Sequence, residues 1–125
     1  MKPAIILFGH GSRDALWHLP IQAVAQRVRN TSPTVQVACA YLELTQPTLA
    51  DAAAEFIAAG ADSIRVLPMF LGTGRHARED LPVLVDALRI RFPNVQFEVL
   101  TAIGENETVL DLMATIALTD TANNT

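Results

Sequence analysis

The stretch that decides the fold is residues 64–78, IRVLPMFLGTGRHAR. An apolar, β-branched run reaches Pro68 and passes into a glycine-punctuated loop, and His76 follows between two arginines. Residues 4–13, AIILFGHGSR, have the same organisation, with His10 between two glycines and an arginine close behind it. Each stretch predicts a buried parallel strand that ends in a loop carrying one histidine.

The rest of the chain alternates predicted strands and helices around these two stretches. Apolar and β-branched runs predict four strands, at residues 4–8, 35–40, 63–68 and 95–100. Helical patterns are predicted to begin near Pro20, Pro47, Asp80 with Pro82, and Asn106. For the second helix, Thr45 is the candidate hydroxyl cap.

This alternation predicts both the fold class and the domain organisation. We expect one doubly wound, flavodoxin-like α/β domain over residues 1–118, with a four-stranded parallel sheet and helices on both faces. In that fold the first strand lies between the second and the third, and right-handed crossovers join the strands. Residues 119–125 are expected to form a frayed tail.

Composition and charge argue against several classes of protein. The net charge is −4 with only nine lysines and arginines, which argues against nucleic acid as a partner. The single cysteine, Cys39, cannot form an internal disulfide and is interpreted as a small core residue. The apolar run at residues 4–8 is too short for a signal peptide or a membrane span, so a cytoplasmic protein with no membrane partner is expected.

Three polar side chains follow the first three predicted strands. They are His10, Glu43 and His76. Ligands of doubly wound sheets bind outside the carboxyl ends of the strands where the strand order reverses, so these side chains are predicted to meet in one crevice. Two imidazoles and one carboxylate suit a divalent ion such as Fe, Co, Ni or Zn, and a site with open positions can receive the ion and pass it on.

Arginines and glycines surround the predicted crevice. Arg13, Arg75 and Arg78 could form charge-assisted, bidentate bonds to carboxylates of a ligand. The glycines at positions 9, 11, 72 and 74 are expected to permit positive φ and close approach of the backbone to that ligand. The sequence therefore predicts a site that binds a cation and a polyanion together.

Three groups of residues resemble one known family over about residues 4–118. They are Gly9-His10-Gly11-Ser12-Arg13 after the first strand, Leu42-Glu43 with Pro47 after the second, and Leu67-Pro68-Met69-Phe70-Leu71 with Gly74-Arg75-His76 and Asp80-Leu81-Pro82 after the third. In this order and spacing they resemble the small CbiX-type sirohydrochlorin chelatases, whose fold is the chelatase-like variant of the flavodoxin-like domain.

The resemblance implies a lyase that inserts a divalent metal into sirohydrochlorin, a polycarboxylate tetrapyrrole. The metal would be Co²⁺ or Fe²⁺, and in related members Ni²⁺, on the way to cobalamin, siroheme or a nickel tetrapyrrole. The metal is then a substrate, and no organic cofactor is implied. A chain of this length is expected to form a homodimer that holds the tetrapyrrole in a cleft between its lobes.

The resemblance also assigns roles to residues of this chain. His10 and His76 correspond to the paired metal-site histidines, and Glu43 corresponds to the acidic position after the second strand, so these three are predicted to bind metal and to act in catalysis. Substrate binding is predicted for the loop residues around them, namely Gly11, Ser12, Arg13, Gly74, Arg75 and Arg78. The sequence leaves open whether Glu43 holds the metal or accepts a proton, and which metal is used in the cell.

Two other functions compete with chelation. A metal- or tetrapyrrole-binding carrier could use the same crevice without turnover. A histidine-nucleophile phosphatase also places His-Gly after its first strand, but it needs an arginine immediately before that histidine, where this chain has Gly9. The third histidine, His18 beside Trp17, is interpreted as a surface or packing residue.

Overall fold

A parallel four-stranded sheet forms the centre of the computed structural model, which describes residues 2–119. The strands are β1 (Pro3–Gly9), β2 (Gln36–Tyr41), β3 (Ser63–Pro68) and β4 (Gln96–Val99), in the order β2-β1-β3-β4. At the centre of the sheet, Ile6 on β1 lies opposite Ala38 on β2 and Val66 on β3. The predicted strand order and α/β fold are confirmed.

Four α-helices connect and follow the strands. They are α1 (Leu19–Thr31), α2 (Leu49–Ala58), α3 (Arg75–Arg91) and α4 (Glu107–Leu118), and short 3-10 helices precede α1 at Ala15–His18 and α4 at Ile103–Glu105. No helix in the described part of the chain is long and apolar enough to cross a membrane. The predicted tail of residues 119–125 lies, apart from Thr119, outside the described residues.

The start of α2 differs from the prediction. Thr48, and not Thr45, caps the helix, because its hydroxyl oxygen accepts the backbone N–H of Asp51 at 3.1 Å. Pro47 lies before the cap and not in the first turn. At the other end of the helix, Gly60 has φ 103°, the left-handed residue expected there.

The start of α3 also differs from the prediction. The helix begins at Arg75, five residues before Asp80, and Pro82 lies inside it. Proline at this position cannot donate a hydrogen bond to the carbonyl of Arg78, but Arg78 is exposed and water can satisfy that carbonyl. His76 is therefore part of the first turn of a helix and not of a loop.

The two faces of the sheet are covered unequally by helices. On one face α2 and α3 pack against a continuous core that includes Phe8, Ile64 and Val66. On the other face α1 packs against a smaller cluster that includes Leu7 and Tyr41. Helices therefore lie on both faces, as predicted.

Cys39 lies half-buried on the α1 face. Its Sγ is 3.7 Å from the carbonyl oxygen of Ile21, to which it donates. Burial raises the pKa of the Cys39 thiol above its ordinary value, and the nearby Arg29 offsets this only in part. This environment agrees with a packing role for the cysteine.

The α1 face is open over β3 and β4. Arg65 on β3 and Glu98 on β4 are cross-strand neighbours on this face, and they form an exposed ion pair of 2.9 Å. The helix α4 buries none of its residues, and Leu112 and Ile116 are 57% and 56% exposed. In the described chain, α4 therefore exposes apolar side chains, and no helix covers the part of the α1 face over β3 and β4.

Candidate functional site

The carboxyl ends of β1, β2 and β3 open into a cavity of about 350 Å³, which is called the polar cavity after its five ionisable lining residues. Its wall includes His10 after β1, Glu43 after β2, and Arg75, His76 and Asp80 at the start of α3. The three residues predicted to converge thus line one cavity, because the parallel strands deliver their following loops to the same edge of the sheet. That they bind metal stays a prediction.

His10 is exposed and lies against a buried aromatic ring. The centroid of its imidazole is 4.4 Å from that of Phe70, whose side chain belongs to the core. The carbonyl oxygen of His10 accepts the backbone N–H of Glu43 at 3.0 Å, which joins the first two loops of the site. His10 is therefore oriented from two sides by Phe70 and by the chain around Glu43.

Gly11 lets the first two loops approach each other. Its φ is 92°, and a Cβ added there would lie 1.8 Å from the carbonyl oxygen of Glu43. No side chain fits at this distance, so glycine is required by the fold itself. Of the glycines at positions 9, 11, 72 and 74, only Gly11 has a positive φ. That the other three let the backbone approach a ligand stays a prediction.

Asp80 is a candidate site residue that the sequence reasoning missed. The sequence indicates only an acid at the start of the third helix. Because α3 begins at Arg75, His76 and Asp80 are four residues apart on one helix and therefore share a face. The signal lies in the His-x-x-x-Asp spacing, which is informative only when the helix is known to include His76.

The donor groups of the cavity do not form a closed metal site in the single chain. Among residues 2–119, no three side chains of His, Cys, Asp or Glu are close enough together to hold one metal ion. His10, Glu43, His76 and Asp80 are all exposed. The cavity thus offers imidazole and carboxylate donors around an open space.

The three predicted substrate arginines lie in different places. Arg75 lines the polar cavity, and its Nε is 3.0 Å from Oε1 of Glu79 in an exposed ion pair. Arg78 lines a separate groove of about 510 Å³ between α3 and the end of β4. Arg13 is exposed and takes part in none of the ion pairs of the described chain. The structure therefore brings only Arg75 to the two histidines.

The remaining predicted substrate residues are Gly74, Gly11 and Ser12. Gly74 precedes α3 and, having no side chain, leaves the first-turn amides of this helix without a side-chain cap. Ser12 accepts the backbone N–H of Asp14 at 3.0 Å through its hydroxyl, so its side chain helps to shape the loop. Their contact with a substrate stays a prediction.

A second, mostly apolar cavity of about 360 Å³ lies on the other side of His10. Its wall includes Trp17, Met69 and Leu71 as well as Gly11 and Ser12. Trp17 is 74% exposed, so a large flat ring stands free at the edge of the cavity. His10 belongs to the walls of both cavities and therefore stands between a cavity lined by ionisable residues and one lined mainly by apolar residues.

These features define an α/β protein with imidazole and carboxylate donors at the carboxyl edge of a parallel sheet. Residues 4–117 match the family model described as CbiX. The chain belongs to the CbiX family.

Solved structures and curated proteins give the same result. A putative cobalamin (vitamin B12) biosynthesis CbiX protein from Marinobacter aquaeolei is 28% identical, with a TM-score of 0.78 over 92% of this chain and 93% of that one. The sirohydrochlorin chelatase SirB from Bacillus subtilis subspecies spizizenii, in complex with cobalt, is 27% identical, with a TM-score of 0.77 over 94% of this chain and 51% of that one.

Among curated proteins, a sirohydrochlorin cobaltochelatase from Methanopyrus kandleri is 32% identical over 82 residues, which are 66% of this chain and 57% of that protein. The chain spans about half the length of several curated relatives that it matches, for example 42% of the sirohydrochlorin ferrochelatase from Bacillus subtilis.

Proposed function

We propose that this chain is a sirohydrochlorin chelatase, a single domain over residues 1–118 that inserts Co²⁺ or Fe²⁺ into the tetrapyrrole. The observation that carries the proposal is the polar cavity, which His10, Glu43 and His76 line from three strand ends. Membership of the CbiX family, and relatives named for cobalt and iron chelation of sirohydrochlorin, support the choice of substrates. Use of Ni²⁺ and a cytoplasmic location belong to the proposal as well.

The chemistry requires groups that bind a metal loosely and accept protons. Insertion exchanges two pyrrole N–H protons for one divalent ion. Imidazole suits both tasks, because its unperturbed pKa of about 6.5 lets it act as ligand and as base near neutral pH. His10 and His76 would present the ion to the ring, and Glu43 would hold the ion or take a proton. Asp80 supplies a further carboxylate in the same cavity.

The two cavities beside His10 suggest how the tetrapyrrole lies. The apolar cavity with Trp17 and Leu71 offers a surface for the face of the ring, because aromatic and aliphatic groups bind flat apolar faces. Arg75 and the uncapped first-turn amides of α3 would bind the carboxylates of its side chains. A Cβ added at Gly72 or Gly74 would meet no atom within 4 Å, so the open space there is available to the substrate.

A homodimer is part of the proposal. The chain corresponds to 51% of SirB, so two copies have about the length of one such relative. The apolar side of α4, with Leu112 and Ile116, and the open half of the α1 face are surfaces that a second copy would cover. The second copy would also close the cleft that holds the tetrapyrrole.

The test of the proposal is catalysed insertion. Sirohydrochlorin and Co²⁺ are mixed with the protein, and the visible absorption of the ring is followed through many turnovers. The wild-type protein should exceed the spontaneous rate, and His10→Ala and His76→Ala should lower kcat by about 100-fold or more. Glu55→Gln, at an exposed position on α2, is the control for a surface substitution and should retain the wild-type rate.

The outcomes separate the candidate functions. Conversion of only one equivalent of sirohydrochlorin per protein would favour the carrier. Wild-type rates in both histidine variants, with circular dichroism unchanged, would refute the assignment of the site.

A further inference from the structure

A buried histidine outside the polar cavity holds two loops of the site together. The sequence alone indicates a surface or packing residue, and the structure shows the second of these, since His18 is only 8% exposed. Its Nε2 lies 3.0 Å from the carbonyl oxygen of Ser12 and 3.1 Å from Oγ1 of Thr45. Its ring also packs on Tyr41, with centroids 4.6 Å apart. His18 itself belongs to the connection after β1, so its contacts with Thr45 and Tyr41 join that connection to β2 and to the loop that follows it.

The donors and acceptors of this cluster are consistent with one arrangement of hydrogens. The carbonyl oxygen of Ser12 can only accept, so a bond from His18 to this oxygen requires the tautomer with the hydrogen on Nε2, which is then shared with Oγ1 of Thr45. The hydroxyl of Thr45 donates to the same carbonyl at 2.8 Å and accepts the backbone N–H of Ser12 at 3.2 Å. Thr45, which does not cap α2, thus uses its hydroxyl to bind the other loop.

The hydrogen-bonded residues of the two loops lie close in sequence to the predicted catalytic groups. His10 lies two residues before Ser12, and Glu43 lies two residues before Thr45. Between Glu43 and Thr45, Leu44 has φ 64°, a left-handed conformation that is unfavourable for a residue with a Cβ. Such a conformation persists where neighbouring contacts hold it, and these bonds fix the residue that follows Leu44.

We propose that His18 and Thr45 are positioning residues that hold His10 and Glu43 in register for metal transfer. This inference rests on the proposed chelatase function. A packing role alone would be met by an apolar side chain beside Tyr41, whereas His18 and Thr45 provide directional bonds that fix the distance between two loops. Loss of the bonds would let the loops shift, and small shifts of reacting groups lower kcat strongly.

The experiment compares Thr45→Val with Thr45→Ser. Valine keeps the shape and removes the hydroxyl, whereas serine keeps the hydroxyl. With sirohydrochlorin and Co²⁺, Thr45→Val should lower kcat by about tenfold or more and change KM for sirohydrochlorin by less than about twofold. Thr45→Ser should restore kcat to within about threefold of the wild-type value. Equal kcat for the valine variant and the wild type would overturn the proposal.

A second readout does not depend on turnover. The amide of Ser12, which donates to Thr45, should exchange its hydrogen at least tenfold faster in Thr45→Val than in Thr45→Ser, and the imidazole resonances of His10 should shift in the valine variant only. If neither the exchange rate of the Ser12 amide nor the His10 resonances change in Thr45→Val, the positioning role is refuted, even if the wild-type protein inserts no metal. If Thr45→Val fails to fold, His18→Gln, whose amide can still donate, is compared with His18→Phe in the same way.

Discussion

Replacement of Gly11 by alanine should separate the first two loops of the site. Two costs add at this position. The φ of 92° is a conformation that costs an L-residue roughly 1–2 kcal/mol. The new Cβ would stand 1.8 Å from the carbonyl oxygen of Glu43, and relief of such overpacking costs about 1–3 kcal/mol. We therefore expect Gly11→Ala to lower the free energy of unfolding by about 2–5 kcal/mol.

Substitutions at two other glycines measure the backbone cost and the steric cost separately. Gly60 has φ 103°, but its added Cβ would meet only the flexible side chain of Lys2, at 3.4 Å. Gly60→Ala therefore measures the backbone cost alone, about 1–2 kcal/mol. Gly72 has nothing within 4 Å, and Gly72→Ala should change stability by less than about 1 kcal/mol in either direction.

The assay is urea unfolding followed by circular dichroism, with thermal melting as a second measurement. For a chain of 125 residues, 1 kcal/mol corresponds to about 4 °C in Tm, so Gly11→Ala should melt about 8–20 °C below the wild type. Because the collision lies between the loops that carry His10 and Glu43, insertion should also slow at temperatures where the variant is folded. A Gly11→Ala protein no less stable than Gly60→Ala would show that the contact with the Glu43 carbonyl is not restrictive.

Three further substitutions or reactions test other parts of the structure. Ile116→Glu on the apolar side of α4 should shift the protein from dimer to monomer in sedimentation, whereas Thr115→Glu on its polar side should not; a dimeric Ile116→Glu would exclude α4 from the interface. Because burial raises the pKa of Cys39, less thiolate is present at neutral pH. Iodoacetamide should therefore react more slowly with Cys39 than with glutathione, and its reaction with Cys39 should become faster at higher pH. Equal rates for Cys39 and glutathione would contradict the burial. Thr48→Ala should cost about 1 kcal/mol in urea unfolding by removing the cap of α2, and an unchanged midpoint would argue against the cap.

The strands and their order could be predicted because each strand is a short apolar run with a clear boundary. Pro3, Gly9 and Pro68 lie at the ends of the runs that form β1 and β3. Alternation of these runs with helical patterns leaves few topologies, and the observed order is one of them. The convergence of His10, Glu43 and His76 on one cavity follows from that order and not from any local motif.

The helix boundaries could not be predicted with the same success, for physical reasons. Pro82 resembles a start signal, but an exposed proline can also lie inside a helix at the cost of one hydrogen bond. Because the predicted helix starts too late, the prediction does not put Asp80 on the same helix face as His76, and it assigns Arg78 to the same site as the histidines. Once α3 includes His76, residues two positions apart point in different directions, so Arg78 turns toward another groove.

The role of Thr45 could not be predicted because it depends on residues far along the chain. Two threonines flank Pro47, and both have the hydroxyl that a helix cap requires. Only the folded chain shows that Thr45 is engaged by Ser12 and His18, which leaves Thr48 to cap the helix. His18 likewise gives no signal in the sequence, since its partners come from two separate loops.

In the proposed function, the placement of one donor group after each of three strands would link metal affinity to the folding equilibrium. His10, Glu43 and His76 lie far apart in sequence and share a cavity only when β1, β2 and β3 are paired. An unfolded chain does not bring these three side chains together, so the proposed metal site would form only as the chain folds. By the same linkage, an ion that binds only the native chain raises the free energy of unfolding. This increase grows with the logarithm of the ratio of the ion concentration to the dissociation constant. A protein that must release its ion to a tetrapyrrole is thus expected to gain little thermal stability from that ion.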